Sequence, residues 1–184
     1  MCTLAQSLPM ASSAAVKQYE PQNWYALQTR ARHEKTVFHR LRERGITAYL
    51  PLVSEVRSWS DRKKTVEFPL FSCYVFARLM PAREGQLAGL RVDGVLGLVG
   101  ARTQGTSIPD EQIDAVRRVV EERLQWRSHP FLRIGRRVRI RNGALQGVEG
   151  ILVSRSGEDT FVLSIDAIQR SLAVRIQGYD AVPV

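Results

Sequence analysis

The side chains able to do chemistry in this chain are few and dispersed. Its three histidines, His33, His39 and His129, stand at no spacing that pairs one with a second His, a Cys or an acid as a zinc set. Its two cysteines, Cys2 and Cys73, make neither a disulfide framework nor a metal site. No glycine-rich phosphate loop and no local Ser/His/Asp signature is present. A catalytic or cofactor-dependent reading therefore has no residues to rest on, and the expectation is a protein without enzymatic activity, cofactor or metal. What remains is cationic recognition. Arg30, Arg32, His33, Lys35, Arg40, Arg42 and Arg44 gather donors within one short stretch, and guanidinium groups make strong hydrogen bonds to phosphate oxygens.

The balance of charge points the same way. The chain carries 27 Lys/Arg against 18 Asp/Glu, a formal net charge of +9, which favours a polyanionic partner, nucleic acid before membrane surface. The excess is local. Trp24 to Lys64 holds ten basic residues against four acidic ones, and Arg127 to Arg141 six against none.

These basic residues need an element to position them. The run from Arg32 to Arg44 reads as a helix stopped by Gly45. At 100° per residue, Val37, Phe38 and Leu41 form its core face. Glu34 falls in the same arc but lies in the first turn, where free amides and the helix dipole favour a carboxylate. His33, Arg40 and Arg44 share one flank with Thr36 beside them, Arg32, Lys35 and Arg42 lie on the far side, and Arg30 stands just before the helix. A solvated charged face is the competing reading. The scarcity of interleaved acids, with only Glu43 on the exposed arc, favours contact with phosphates.

A second stretch, Phe68 to Leu79, is dense in aromatic and β-branched residues and reads as one strand. Alternation places Phe71, Cys73, Val75, Ala77 and Leu79 on a core face, and Ser72, Tyr74, Phe76 and Arg78 on the other. Two large aromatics beside a serine and an arginine fit a docking face, or a sheet buried on both sides.

Around these lie a strand at Trp24 to Thr29, a strand at Ala48 to Arg57, a charged hairpin tip at Ser58 to Lys64 and a helix at Ala82 to Arg91. A strand at Val95 to Val99 follows, then a helix opened by Pro109 that buries Ile113, Val116, Val120 and Leu124. This order predicts an α/β sandwich with a mostly antiparallel sheet over 24–126. Residues 127–133 read as a linker, and 134–184 as a small all-β barrel of five short strands, so the fold class is α+β. Residues 1–23 lack periodicity and a signal-peptide pattern and read as a disordered tail. No apolar run approaches membrane-spanning length, so the expected location is cytoplasmic.

Several of these residues carry a resemblance. Trp24-Tyr25, Glu34-Lys35 with Val37 and Leu41, Tyr49-Leu50-Pro51, and Pro69-Leu70-Phe71 with Tyr74-Val75-Phe76 are similar to the N-terminal (NGN) domain of the NusG family. Gly135-Arg136-Arg137-Val138-Arg139-Ile140, Gly143, Gly147 and Glu149-Gly150-Ile151 resemble its KOW module, an SH3-like barrel. The Arg30 to Lys35 run and the Ala48-Tyr49-Leu50-Pro51 spacing resemble the specialised RfaH/UpxY-type antiterminators. Where the family commonly has Phe-Pro-Gly-Tyr, this chain has Phe71-Ser72-Cys73-Tyr74.

The resemblance implies a monomeric factor that docks on the clamp helices of the largest RNA polymerase subunit and suppresses pausing and termination. Tyr74 and Phe76 match the docking strand, with Phe71 at its start. Arg30, Arg32, His33, Thr36, Arg40 and Arg44 would face the non-template DNA strand. Leu145, Val148 and Ile151 match the KOW edge that recruits either the ribosomal protein NusE or Rho, although barrel packing competes for them. A KOW-bearing RNA- or ribosome-binding protein and a housekeeping NusG acting with Rho are the alternative readings.

Overall fold

Trp24, Tyr25, Ala26 and Leu27 are four consecutive apolar residues, and a strand can bury such a run only if both its faces are covered. In the computed structural model all four are buried. The structure describes residues 21–58, 63–100, 105–129, 135–155, 158–176 and 181–184. The expected tail before residue 21, residues 59–62 of the expected hairpin tip, residues 130–133 of the expected linker and the turns expected at 156–157 and 178 lie outside them.

The run forms β1 (Asn23–Thr29), at the centre of a sheet in the order β2-β5-β1-β6, with β2 at Ala48–Tyr49, β5 at Tyr74–Leu79 and β6 at Val95–Leu98. Every pairing in it is antiparallel. On one face Tyr25 and Leu27 meet Val75, Ala77 and Leu79, covered by Val37 and Leu41 of α1 (Glu34–Glu43) and by Val92, just beyond α2 (Arg83–Leu90). Helix α1 ends where the sequence predicts. Gly45 adopts φ 74°, its N–H donates to the Arg42 carbonyl, and the Ile46 N–H donates to Leu41, a glycine-capped stop.

The opposite face carries Trp24, Ala26 and Phe76. Helix α3 (Asp110–Glu121) lies on it through Ile113 and Val116. The same helix turns Ala115 and Val119 toward a second sheet. That sheet has the order β12-β8-β9-β10-β11-β7, from β7 (Trp126–His129), β8 (Arg136–Ile140), β9 (Glu149–Arg155), β10 (Glu158–Ile165), β11 (Arg170–Arg175) and β12 (Ala181–Pro183). The fold is α+β with antiparallel sheets, as expected. A two-stranded ribbon, β3 (Leu52–Ser58) with β4 (Lys63–Pro69), completes the described elements.

Four local expectations need correction. Ala48 to Arg57 is two strands, parted at Leu50-Pro51 because proline has no N–H for a ladder. Helix α3 buries Val119 where Val120 was expected, and Val120 and Leu124 are only half-buried. Trp126, expected to end the helix, and Arg127 to His129, expected to begin a linker, form instead a strand paired with β11 from Trp126↔Val174 to His129↔Ser171. The exposed edge of β11 offers unpaired backbone groups, and the nearest extended segment satisfies them.

The fourth correction concerns Phe68 to Leu79, which is not one strand. It comprises the end of β4, a turn and β5. The Tyr74 N–H donates to the Phe71 carbonyl at 3.3 Å and Cys73 adopts φ 67°, the pattern of a type II turn with its third residue left-handed. Pro-Gly is the favoured pair for such a turn; Ser72-Cys73 makes it with a side chain in the unfavourable region. The Cys73 amide is held in place from outside. Its N–H donates to Oε1 of the buried Glu34 at 2.7 Å, and its carbonyl accepts from Thr29 N–H at 2.9 Å. The left-handed conformation costs about 1–2 kcal/mol. Cys73→Gly should therefore raise the urea-unfolding free energy by about 0.5–1 kcal/mol, the extra freedom of the unfolded glycine offsetting part of the relief.

Candidate docking face and basic flank

The turn resets the alternation, and this decides where the three candidate docking aromatics lie. From Tyr74 to Leu79 the faces follow the expected order, but Phe71 falls beside Phe76 rather than with Val75. The two rings meet edge to face with centroids 6.0 Å apart. Tyr49 stacks on Phe76 from the neighbouring strand at 6.4 Å. Phe71 and Phe76 are buried, Phe76 to 0 % exposure, and Tyr74 is half-buried against them. An aromatic face therefore exists on β2 and β5, and it is covered.

The cover comes from two sources. Helix α3 lies over the face, and Ile165, Ile168 and Leu172 from the C-terminal sheet join the same apolar cluster. Polar contacts fasten the edges. Arg78 Nη2 donates to Asp110 Oδ2 at 2.8 Å while its guanidinium lies 5.2 Å from the Trp24 ring centre, which pins the start of α3. Gln112 and Asp166 bond reciprocally, Gln112 Nε2 donating to the carboxylate at 3.0 Å and its carbonyl accepting the Asp166 N–H at 3.3 Å. Arg118 Nη1 donates to the Gln146 carbonyl at 2.6 Å.

Between α3 and the C-terminal sheet runs a groove of about 1220 Å³, lined by Asp114 and Arg118 on the helix and by Val148 and Ile151 opposite. Of the expected partner-binding residues, Val148 and Ile151 thus reach this groove. Leu145 is fully buried within the C-terminal cluster.

The basic flank of α1 is organised by a contact that the sequence conceals. The loop from Arg91 to Gly94 lies against it. Arg40 Nη1 donates to the Asp93 carboxylate at 2.7 Å and to the Asp93 carbonyl at 2.9 Å. Arg44 Nη1 donates to the Arg91 carbonyl at 3.1 Å, and the Arg30 backbone N–H to the Gly94 carbonyl at 2.9 Å. Gly94 is required there: at φ 98°, an added Cβ would sit 2.9 Å from Val37 Cγ2 and 3.6 Å from His33 Cβ. The Arg40 hydrogen bond, and then its charge, hold the Asp93 carboxyl below its ordinary pKa. Arg30, His33, Arg40 and Arg44 therefore converge on one loop. Arg32 and Thr36 are exposed outside that contact, with Arg32 at φ 65° just before the helix.

The sequence-distant residues in these contacts, Asp93, Arg78, Asp110 and Tyr49, were not singled out as site residues. Their partners lie between 27 and 68 positions away, beyond any helical or strand spacing. A further basic cluster is partly neutralised in the same way, since Arg139 and Arg137 both reach Glu149. Arg139 chiefly, through its hydrogen bond, lowers the Glu149 pKa.

Fold and site together give a protein of two sheets joined by α3, with an aromatic face of the first sheet closed by α3 and the C-terminal half, and a cationic helix on that sheet's other face. The family model described as "Transcription termination factor nusG" matches residues 22–117. The chain belongs to the NusG family of transcription termination/antitermination factors. Members of that family work with RNA polymerase in transcription and are not enzymes. A transcription termination/antitermination protein NusG of Lactococcus lactis is 26% identical over 168 residues, covering 84% of this chain and 89% of the relative. Among solved structures, one described as domain interaction in Thermotoga maritima NusG is 18% identical, with a TM-score of 0.47, over 84% of this chain and 93% of that one. An MjSpt4:Spt5 complex is 14% identical, with a TM-score of 0.30, over 87% of this chain and 98% of that one. Among the described residues no helix is long and apolar enough to cross a membrane.

Tyr49 offers a test of how tightly the aromatic face is closed. Burial pushes its phenol up to about 12, with Arg117, 5.2 Å over its ring, pulling in the opposite direction. Its hydroxyl has no hydrogen-bond partner among the described residues. The folded protein holds this proton more tightly than the unfolded chain, whose tyrosines titrate near pH ~10. The stability is full below that pH and falls as pH rises toward about 12. Tyr49→Phe should flatten this alkaline fall in urea melts and raise stability at neutral pH by about 1 kcal/mol.

Proposed function

We propose that this chain is a specialised, RfaH/UpxY-like antiterminator that docks through the aromatic face of β2 and β5 on the clamp helices of the largest RNA polymerase subunit. Docking there would bridge the clamp and keep the enzyme closed on nucleic acid, suppressing pausing and termination. The observation that carries this reading is the cluster of Tyr49, Phe71, Tyr74 and Phe76 on one sheet face, covered by residues distant in sequence. An aromatic surface able to exchange one apolar cover for another is what a protein–protein anchor requires.

The nucleic-acid contact in this reading is the α1 flank of Arg30, His33, Arg40 and Arg44, with Arg32 and Thr36 beside it, facing the exposed non-template strand. The chain acts as one copy in the cytoplasm, with 24–126 and 134–184 as its two units. The second unit is a KOW-type barrel that recruits NusE or Rho through Val148 and Ile151, and Leu145 supports that edge from inside. Because Ile165, Ile168 and Leu172 occupy the aromatic face, polymerase can take it only after the second unit moves away. The same separation would bare the groove wall that carries Val148 and Ile151.

Truncating Phe76 is a poor test, since a buried phenylalanine lost to alanine costs about 3–5 kcal/mol of stability. A charged residue in the cover is better. In the full chain, Ile168→Asp should loosen the cover and raise co-purification of RNA polymerase several-fold. Tyr74→Ala, at a half-buried position, should reduce it again on that background, with helix content preserved by circular dichroism. If polymerase recovery is the same for all three proteins, the docking face is misassigned.

A further inference from the structure

The pairing of Arg40 with Asp93 raises a question of its own, because a flank meant to hold phosphates carries a carboxylate bonded to its central arginine. The contact is firmly made yet open to solvent. One guanidinium nitrogen bonds both the carboxylate and the carbonyl of Asp93, and the two side chains retain 39% and 75% of their exposure. The remaining guanidinium N–H groups of Arg40 point no bond at Asp93, so a phosphate can approach the same cation. Exposed ion pairs of this kind are weak enough to exchange with a competing anion.

We propose that Asp93 sets how tightly the α1 flank holds single-stranded DNA. It is a built-in carboxylate that keeps Arg40 in position and that a DNA phosphate must compete with for the same guanidinium. The inference rests on the nucleic-acid reading of the flank and deepens it. The loop fixes the geometry through its carbonyls, which bond Arg40, Arg44 and the Arg30 amide. The carboxylate adds a negative charge at the place where the phosphate must come. The two contributions are separable. Asparagine keeps an oxygen acceptor for Arg40 and removes only the charge.

The experiment measures binding of the full-length protein to a fluorescently labelled single-stranded oligonucleotide over a range of salt concentrations. The proteins compared are the parent, Asp93→Asn, Arg40→Ala and the double variant. Removing one charge about 4 Å from a phosphate in water predicts affinity about fivefold higher for Asp93→Asn at low salt. Its salt dependence should steepen by about 0.7 in log–log slope, the signature of one more phosphate held on a single strand. Arg40→Ala should weaken binding, and in the double variant the gain from Asp93→Asn should vanish. Unchanged thermal melting of Asp93→Asn shows that the gain is not a folding effect. If Arg40→Ala weakens binding while Asp93→Asn leaves it unchanged or weaker, the flank binds DNA but Asp93 does not govern it, and the inference falls alone. If Arg40→Ala changes nothing, the flank reading falls and takes the inference with it.

Discussion

The central sheet is apolar on both faces, and one of those faces cannot be covered by its own neighbours. Helix α1 and the residues around α2 cover Tyr25, Leu27, Val75 and Ala77. Trp24, Ala26 and Phe76 need another layer, and exposing a patch of that character to water would cost several kcal/mol by area alone, at about 25 cal/mol per Å². The chain supplies that layer with α3 and the 165–172 region of the C-terminal sheet. Helix α3 is suited to the position because it is apolar on two sides. Ile113 and Val116 point to the first sheet, and Ala115 and Val119 to the second. The arrangement of the two halves follows from that doubly apolar helix.

The same arrangement ties structure to the proposed role. An apolar surface can anchor a partner, and the same property makes it a target for intramolecular cover. The cover is fastened by a few exposed polar pairs, Arg78 with Asp110 and Gln112 with Asp166, around an apolar centre. Exposed pairs contribute little individually, about 0–1 kcal/mol each, so the centre dominates the balance. A partner for that face would have to displace Ile165, Ile168 and Leu172, which as part of the same chain pay no cost of association.

Charge is distributed less simply than the net +9 implies. Much of the excess arginine is committed inside the molecule: Arg40 to Asp93, Arg78 to Asp110, and Arg137 and Arg139 to Glu149. Arg42 and Arg117 lie over the rings of Phe38 and Tyr49. Arginine serves here as a connector between elements as well as a contact for an external anion, a dual use its planar, multidentate head allows.

Most elements of the fold were legible in the sequence because they are written in local periodicity. The core stripe of α1, its stop at Gly45, the two faces of β5 from Tyr74 onward and the run of short C-terminal strands all follow from spacing and glycine placement. The chemistry of the basic flank was legible as residue type. What the sequence could not decide depended on pairs far apart in the chain. Cys73 is left-handed because Glu34 and Thr29 hold its backbone, so Phe71 changes faces. Trp126 to His129 becomes a strand because β11 has an open edge. Arg40 meets a carboxylate because the turn before β6 lands beside it. Phe76 is buried rather than displayed because α3 and, much later in the chain, Ile165, Ile168 and Leu172 close over it. Local patterns state which face of an element is apolar, whereas only the packed structure decides what covers that face.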